Sequence, residues 1–185
     1  MKELFEAVRA GDLARVQTLV DADPSLAIFA AAILGDMKRL EDLLTGNRSL
    51  VTAVSTDGWT PLHLAAFFGK GDAVRLLLNK GAVVTARSTN QMANTPLHAA
   101  AAGRHSEIVK LLLDRGANAN ARQNGGWTPL HSAAQNGDLE CAQALIAAGA
   151  DASVRADNNQ QPMDLALTGG RQAMVEFLEA IGARP

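Results

Sequence analysis

Four histidines and one cysteine are the residues of this chain best suited to acid–base, metal-binding or nucleophilic chemistry. Three of the histidines stand in near-identical segments: Thr60-Pro61-Leu62-His63, Thr95-Pro96-Leu97-His98 and Thr128-Pro129-Leu130-His131. A side chain repeated at one place in three similar segments serves the architecture of those segments, whereas an active site needs polar groups that the architecture leaves unexplained. The fourth, His105, is not accompanied by a His-Glu-x-x-His pair, a phosphate-binding glycine loop or a dinucleotide fingerprint. Cys141 is the single cysteine, so it can form neither an intramolecular disulfide nor a multi-cysteine zinc site. No Lys or Arg lies within seven residues of it to favour a thiolate. Asp21 and Asp23 are close together, but Pro24 and Leu26 follow them, and no calcium loop results. Asp36, Asp72 and Asp138 fall near helix starts, where a carboxylate caps the helix or meets its dipole. No nucleophile–base pair emerges; no catalytic residue, metal or cofactor is expected.

Composition narrows the classes further. Of 185 residues, 48% are apolar and 19% charged, which is enough to build a buried core. The formal charge of -2 lacks the basic excess of an electrostatic nucleic-acid binder. Aromatics make up only 4% and tyrosine is absent, so the core must come from Ala, Leu and Val, which favours helices in close contact. The longest apolar run, Leu26 to Leu34, is nine residues, far short of a bilayer span. Glu3, Glu6 and Arg9 among the first residues argue against a signal peptide. A cytoplasmic monomer, with neither nucleic acid nor membrane as partner, is the expectation.

The elements that carry the motifs repeat. The three Thr-Pro-Leu-His segments start 35 and 33 residues apart, and a further 33 residues reaches a worn copy, Gln161-Pro162-Met163-Asp164. Gly81, Gly116, Gly149 and Gly182 each follow a motif start by 21 residues. Leu77, Leu112, Leu145 and Leu178 follow by 17. Gly35-Asp36 and Gly11-Asp12 mark two earlier, looser copies. The motif Thr caps a first helix and Pro fits its first position. A second helix presents residues such as Val109, Leu112 and Leu113 at helical spacing and ends at the glycine. Neither helix can bury its face alone, so units must stack into an all-α solenoid. The reading is one domain, 1–185, of about six units: 1–24, 25–57, 58–92, 93–125, 126–158 and 159–185. About twelve helices in six pairs are expected, with the first and last units as caps.

With this period, the Thr-Pro-Leu-His motif, the Ala-Ala pair and the Gly-Ala-Asp/Asn ending, the chain resembles the ankyrin repeat family, in the style of a stand-alone bacterial-type member. Residues 56 to 185 carry the stronger match. The resemblance implies antiparallel helices with a short β-hairpin finger projecting from each unit. It implies that His63, His98 and His131 hydrogen-bond within and between repeats. It also implies a non-enzymatic scaffold that binds a protein through its concave inner helices and finger tips. Departures occur at Ala93, where a turn Gly is usual, in the finger Arg87 to Asn94, two residues longer than its siblings, and at Gly103, one residue before the usual turn position.

Partner-binding residues are sought where copies differ and project outward. Trp59 and Trp127 precede a motif Thr. Phe67 and Phe68 end one first helix, and Gln135 and Asn136 occupy the same places in a later one. Phe68 is expected to be the exposed member of its pair. Arg87, Arg122 and Arg155 recur at one finger offset, a basic ladder suited to carboxylates on a partner. Met92, on the longest finger, offers an adaptable apolar contact. The candidate set is Trp59, Phe68, Arg87, Met92, Arg122, Trp127, Gln135 and Asn136. An enzyme or small-ligand protein with its site in the same groove is the alternative.

Overall fold

The computed structural model describes residues 1–183, so the last two positions of the sixth unit, 184 and 185, lie outside the described residues. Among the described residues there are twelve α-helices, two short 3-10 turns (Pro24–Leu26 and Arg48–Thr52) and no strand. The helices form two layers. The inner layer stacks α1 (Lys2–Arg9), α3 (Ala27–Leu34), α5 (Pro61–Phe67), α7 (Pro96–Ala102), α9 (Pro129–Asn136) and α11 (Pro162–Thr168). The outer layer holds their partners: α2 (Leu13–Ala22), α4 (Met37–Gly46), α6 (Gly71–Asn79), α8 (Ser106–Asp114), α10 (Leu139–Ala147) and α12 (Gln172–Ala180).

Local chemistry starts each helix where the sequence places it. In α7 and α9 the motif Thr and His form a reciprocal capping box, with imidazole in place of the usual Glu. The worn copy keeps the box with other residues: Gln161 N–H donates to Asp164 Oδ2 at 2.8 Å. In the outer layer, Asp12, Asp36 and Asp138 accept from the N–H of Arg15, Arg39 and Cys141 at 2.9, 3.0 and 3.1 Å. Asp72 sits inside the first turn of α6 and acts there through the helix dipole alone.

Small side chains hold the inner layer together. Ala65, Ala66, Ala100, Ala101, Ala133 and Ala134 have no exposed surface, which lets successive inner helices approach closely. Leu77, Leu112 and Leu145 fill the space between layers. The apolar run singled out in the sequence is α3, buried on nearly every side because α1 and α5 flank it.

The fingers depart from expectation. Each is closed by one wide backbone bond, Ser55 N–H to Trp59 O, Ser88 to Asn94, Gln123 to Trp127 and Ala156 to Gln160, at 2.8–2.9 Å, and holds one tighter turn bond inside it, Gly58 N–H to Ser55 O, Ala93 to Asn90, Gly126 to Gln123 and Asn159 to Ala156, at 2.8–3.1 Å. They are turns, and no β-hairpin ladder forms among the described residues. The N–H that would return a second rung goes to a side chain: Trp59 to Ser55 Oγ and Asn94 to Ser88 Oγ, both at 3.1 Å, and Gln160 to Asn158 Oδ1 at 3.2 Å. Thr89 N–H donates to Gly58 O at 2.9 Å, Asn124 to Met92 O at 2.8 Å and Asp157 to Gly125 O at 3.0 Å. From the second finger onward, the tip also bonds to the finger before it.

The missing turn glycines leave strain. Ala93 adopts φ +48° and Arg104 φ +62°, left-handed conformations that cost an L-residue with a Cβ. Gly103 has an ordinary φ but no room: a Cβ there would lie 2.4 Å from Phe67 O. Close packing on α5 therefore takes the glycine, and Arg104 makes the turn. Ala93→Gly and Arg104→Gly are each expected to stabilise the chain by about 0.5–1 kcal/mol, read as a higher thermal midpoint. Gly103→Ala should lower it. A lower midpoint for both glycine variants would show that neither turn is strained.

Candidate functional site

The inner helices and finger bases enclose a groove of about 370 Å³. Its walls follow the repeat. Leu64, Ala99 and Ser132 come from the middle of α5, α7 and α9, and Phe67, Ala102 and Gln135 from one turn further on. Trp59, Asn94 and Trp127 come from the residue before each motif, and Met92 and Gln123 from the fingers. Phe5 and Arg9 of α1 close one end.

The candidate residues divide. Trp59, Phe68, Met92, Trp127 and Gln135 line this groove. Phe68 is not the exposed member of its pair. Phe67 is 39% exposed, whereas Phe68 is half-buried and stacks on Phe5, ring centroids 5.9 Å apart. This ring contact spans α3, which lies between α1 and α5. Asn136 turns away and donates to Ala101 O and Ala102 O, both at 3.3 Å, tying α9 to α7. Arg87 and Arg122 border a separate, polar hollow at the base of the fingers. Arg122 is engaged there, donating to Arg155 O at 3.0 Å and reaching Asp157 at 3.4 Å. Arg155 donates to Asn159 O at 2.9 Å. Within the basic ladder, Arg122 thus braces the next finger and Arg155 braces its own.

Both tryptophans serve the finger base as well as the groove. Trp59 meets His63 edge-on at 5.7 Å, and Trp127 stacks on His131 at 5.5 Å. Asn94 holds the equivalent place between them and is 6% exposed. Its Oδ1 has no hydrogen-bond partner among the described residues, a deficit that ordinarily costs ~1–3 kcal/mol.

The motif histidines bridge repeats. Nε2 of His63, His98 and His131 lies 3.1 Å from the carbonyl oxygen of Asn94, Trp127 and Gln160, respectively. A carbonyl only accepts, so Nε2 carries the proton and Nδ1 accepts from the motif Thr hydroxyl, at 2.7–2.9 Å. Burial holds these rings neutral. It lowers His63 and His98 from 6.5 to about 4, and lowers His131 as well. His105 Nε2 donates to Phe67 O, 3.0 Å away, and likewise joins two repeats. Cys141 is buried, and burial together with its contact to Asp138 pushes its thiol up, away from nucleophilic use. No group of three potential metal-ligating side chains occurs among the described residues.

Sequence reasoning missed Phe5, Arg9, Asn94, Gln123 and Ser132 as lining residues. A signal was available for Arg9. Aligning Gly11 with Gly69 puts Arg9 at the offset of Phe67 and Gln135.

A two-layer helical solenoid with bridging histidines and an apolar concave groove is the architecture of a repeat scaffold. A family model described as ankyrin repeats (3 copies) matches residues 4–88, 27–123, 83–156 and 121–185, and the chain belongs to the ankyrin repeat family. Ankyrin repeats are general protein-interaction modules. The chain is 34% identical over 98 residues to the rat ankyrin repeat and SAM domain-containing protein 6, covering 48% of this chain and 11% of that protein. The mouse counterpart is 35% identical over the same length. The mouse 2-5A-dependent ribonuclease is 39% identical over 74 residues, 40% of this chain and 10% of that protein. The chain thus spans about a tenth of the curated relatives it matches. No described helix is long and apolar enough to cross a membrane.

Proposed function

We propose that this chain is a non-enzymatic protein-binding module whose partner occupies the concave groove and the neighbouring finger tips. It acts as a single six-unit domain, monomeric and cytoplasmic, with the first and last units as caps. The observation that carries the reading is the groove itself: two indoles, exposed Phe67 and Met92 face one shallow depression. Aromatic anchors dominate interfaces because they bury large area with little loss of side-chain freedom. The buried, neutral histidines and the inert thiol supply no alternative chemistry in that groove.

The single cysteine is buried, so an introduced one can be labelled alone. Gln135→Cys, carrying a photocrosslinker in the groove, is expected to capture a discrete partner. Arg75→Cys, carrying the same reagent on the exposed face of α6, is not. Trp127→Ala should then weaken that partner by about 2 kcal/mol, roughly thirtyfold. Capture from Arg75→Cys alone would move the interface to the convex side.

A further inference from the structure

Resting on the reading of the groove as a protein-binding surface, we infer that its occupant is an extended, acidic–apolar peptide segment. One large apolar side chain fills the aromatic end, an adjacent carboxylate meets Arg9, and a main-chain N–H bonds to the amide of Asn94.

Three observations carry this. The lining is graded along the solenoid axis. Phe5, Trp59, Phe67 and Phe68 form one end. Towards the other end, beside Met92 and Trp127, the side chains of Gln123, Ser132 and Gln135 make no hydrogen bond among the described residues, and they offer uncharged donors and acceptors to a peptide backbone.

The second observation is charge. Arg9 is the one Lys, Arg, Asp or Glu side chain on the lining. It is exposed and forms no ion pair or hydrogen bond with another described side chain. With no carboxylate on the lining, a basic segment meets an uncompensated like charge, and an acidic one finds its counter-ion.

The third is Asn94. Its side chain is more than nine-tenths buried on the groove's floor, between the positions of Trp59 and Trp127, and its Oδ1 lacks a donor. In the empty groove that oxygen is covered, and rotating the amide about its terminal torsion turns it toward an occupant. A ligand donor satisfies it. Beyond its first turn a helix uses its main-chain N–H groups internally, whereas an extended segment keeps them free for the groove. About 370 Å³ suits one large side chain with its adjoining backbone and is too small for a folded surface.

The two tryptophans of the chain both line the groove, so intrinsic fluorescence of the intact protein reports occupancy. Three terminally blocked hexapeptides in a Gly/Ser background would be titrated, with central Phe-Glu, Phe-Lys or Ala-Glu. Phe-Glu is expected to saturate at least about tenfold tighter than either of the others. Arg9→Gln should erase the preference for Glu over Lys. N-methylation of the peptide bond that meets Asn94 should weaken binding about tenfold to the natural chain and change nothing in Asn94→Leu. Asn94→Leu should keep its thermal midpoint, since the variant loses an unpaired acceptor. Equal binding of Phe-Lys, or an N-methyl penalty that persists in Asn94→Leu, would overturn the inference. So would N-acetylphenylalanine amide binding as tightly as the hexapeptide, which would make the site a small-ligand pocket. No saturation by any hexapeptide, with Gln135→Cys still capturing a partner, overturns this inference and leaves the module reading intact. Failure of both removes both.

Discussion

Lowering the pH from 7.5 to 4.5 is expected to cost the folded chain on the order of 5 kcal/mol, most of it lost between pH 6.5 and 4.5. The cause is the row of neutral histidines that bridge the repeats. His63 and His98 titrate near 4 when folded and near 6.5 when unfolded, and His131 is displaced in the same direction. Between those values the unfolded chain binds more protons, so stability falls as pH falls and is complete above the unfolded value. Each well-buried ring contributes roughly 2–3 kcal/mol by this linkage. A protonated ring would also present an N–H at Nδ1 to the Thr95 or Thr128 main-chain N–H that now donates to it. Denaturant unfolding at several pH values checks the slope. His98→Gln, which cannot take up the proton, should be less stable at pH 7.5 yet flatter with pH. Equal stability at 7.5 and 4.5 would show that acid does not act through these rings.

The second large effect concerns volume. Ala100 lies at the centre of the inner layer with no exposed surface, whereas Ala102, two residues on, is exposed. Ala100→Leu adds three carbons at a position with no exposed surface, in a helix packed by α5, α8 and α9. Overpacking of this kind costs about 3 kcal/mol or more. For a chain of this size that lowers the thermal midpoint by roughly 6–12 °C. Ala102→Leu, the same exchange on the same helix, should move it by less than about 2 °C. Similar shifts for both would mean that the inner helices are not packed to their limit at Ala100.

The repeat was the most legible feature because its physics is local and recurs. Thr-Pro, Gly-Asp and the leucines at one offset each fix a cap, a turn or a buried face without reference to distant chain. Twelve helices follow from those signals alone, and so does the bridging role of the three motif histidines once the resemblance is admitted. What failed depends on partners far away in sequence. The fingers carry turn signals, yet the bonds from their tips to the preceding finger are set by stacking. Phe67 and Phe68 are equivalent in composition, and only Phe5, more than sixty residues earlier, decides which one is covered. Asn136 looked available because its bond to Ala101 O spans a full repeat. Asn94 was overlooked for the opposite reason: a buried amide with an unused oxygen is invisible until its surroundings are known.

The finger-to-finger bonds carry a further consequence for how such a chain can grow. Each links a carbonyl in one copy to an N–H one period later, from Gly58 to Thr89, Met92 to Asn124 and Gly125 to Asp157. The histidine bridges run the other way but keep the same period, each ring N–H in one copy donating to a carbonyl in the next. Duplicating residues 95–127 therefore inserts one donor and one acceptor of every kind, and each new partner meets its complement. The interior of the molecule behaves as a modular lattice, whose length can change by whole periods without leaving an unmatched bond. A duplication of half a period would strand both sets. Lengthening at residues 95–127 would also add one more rung ending in an indole, extending the concave wall beyond Trp127 while leaving the aromatic end at Phe5 untouched.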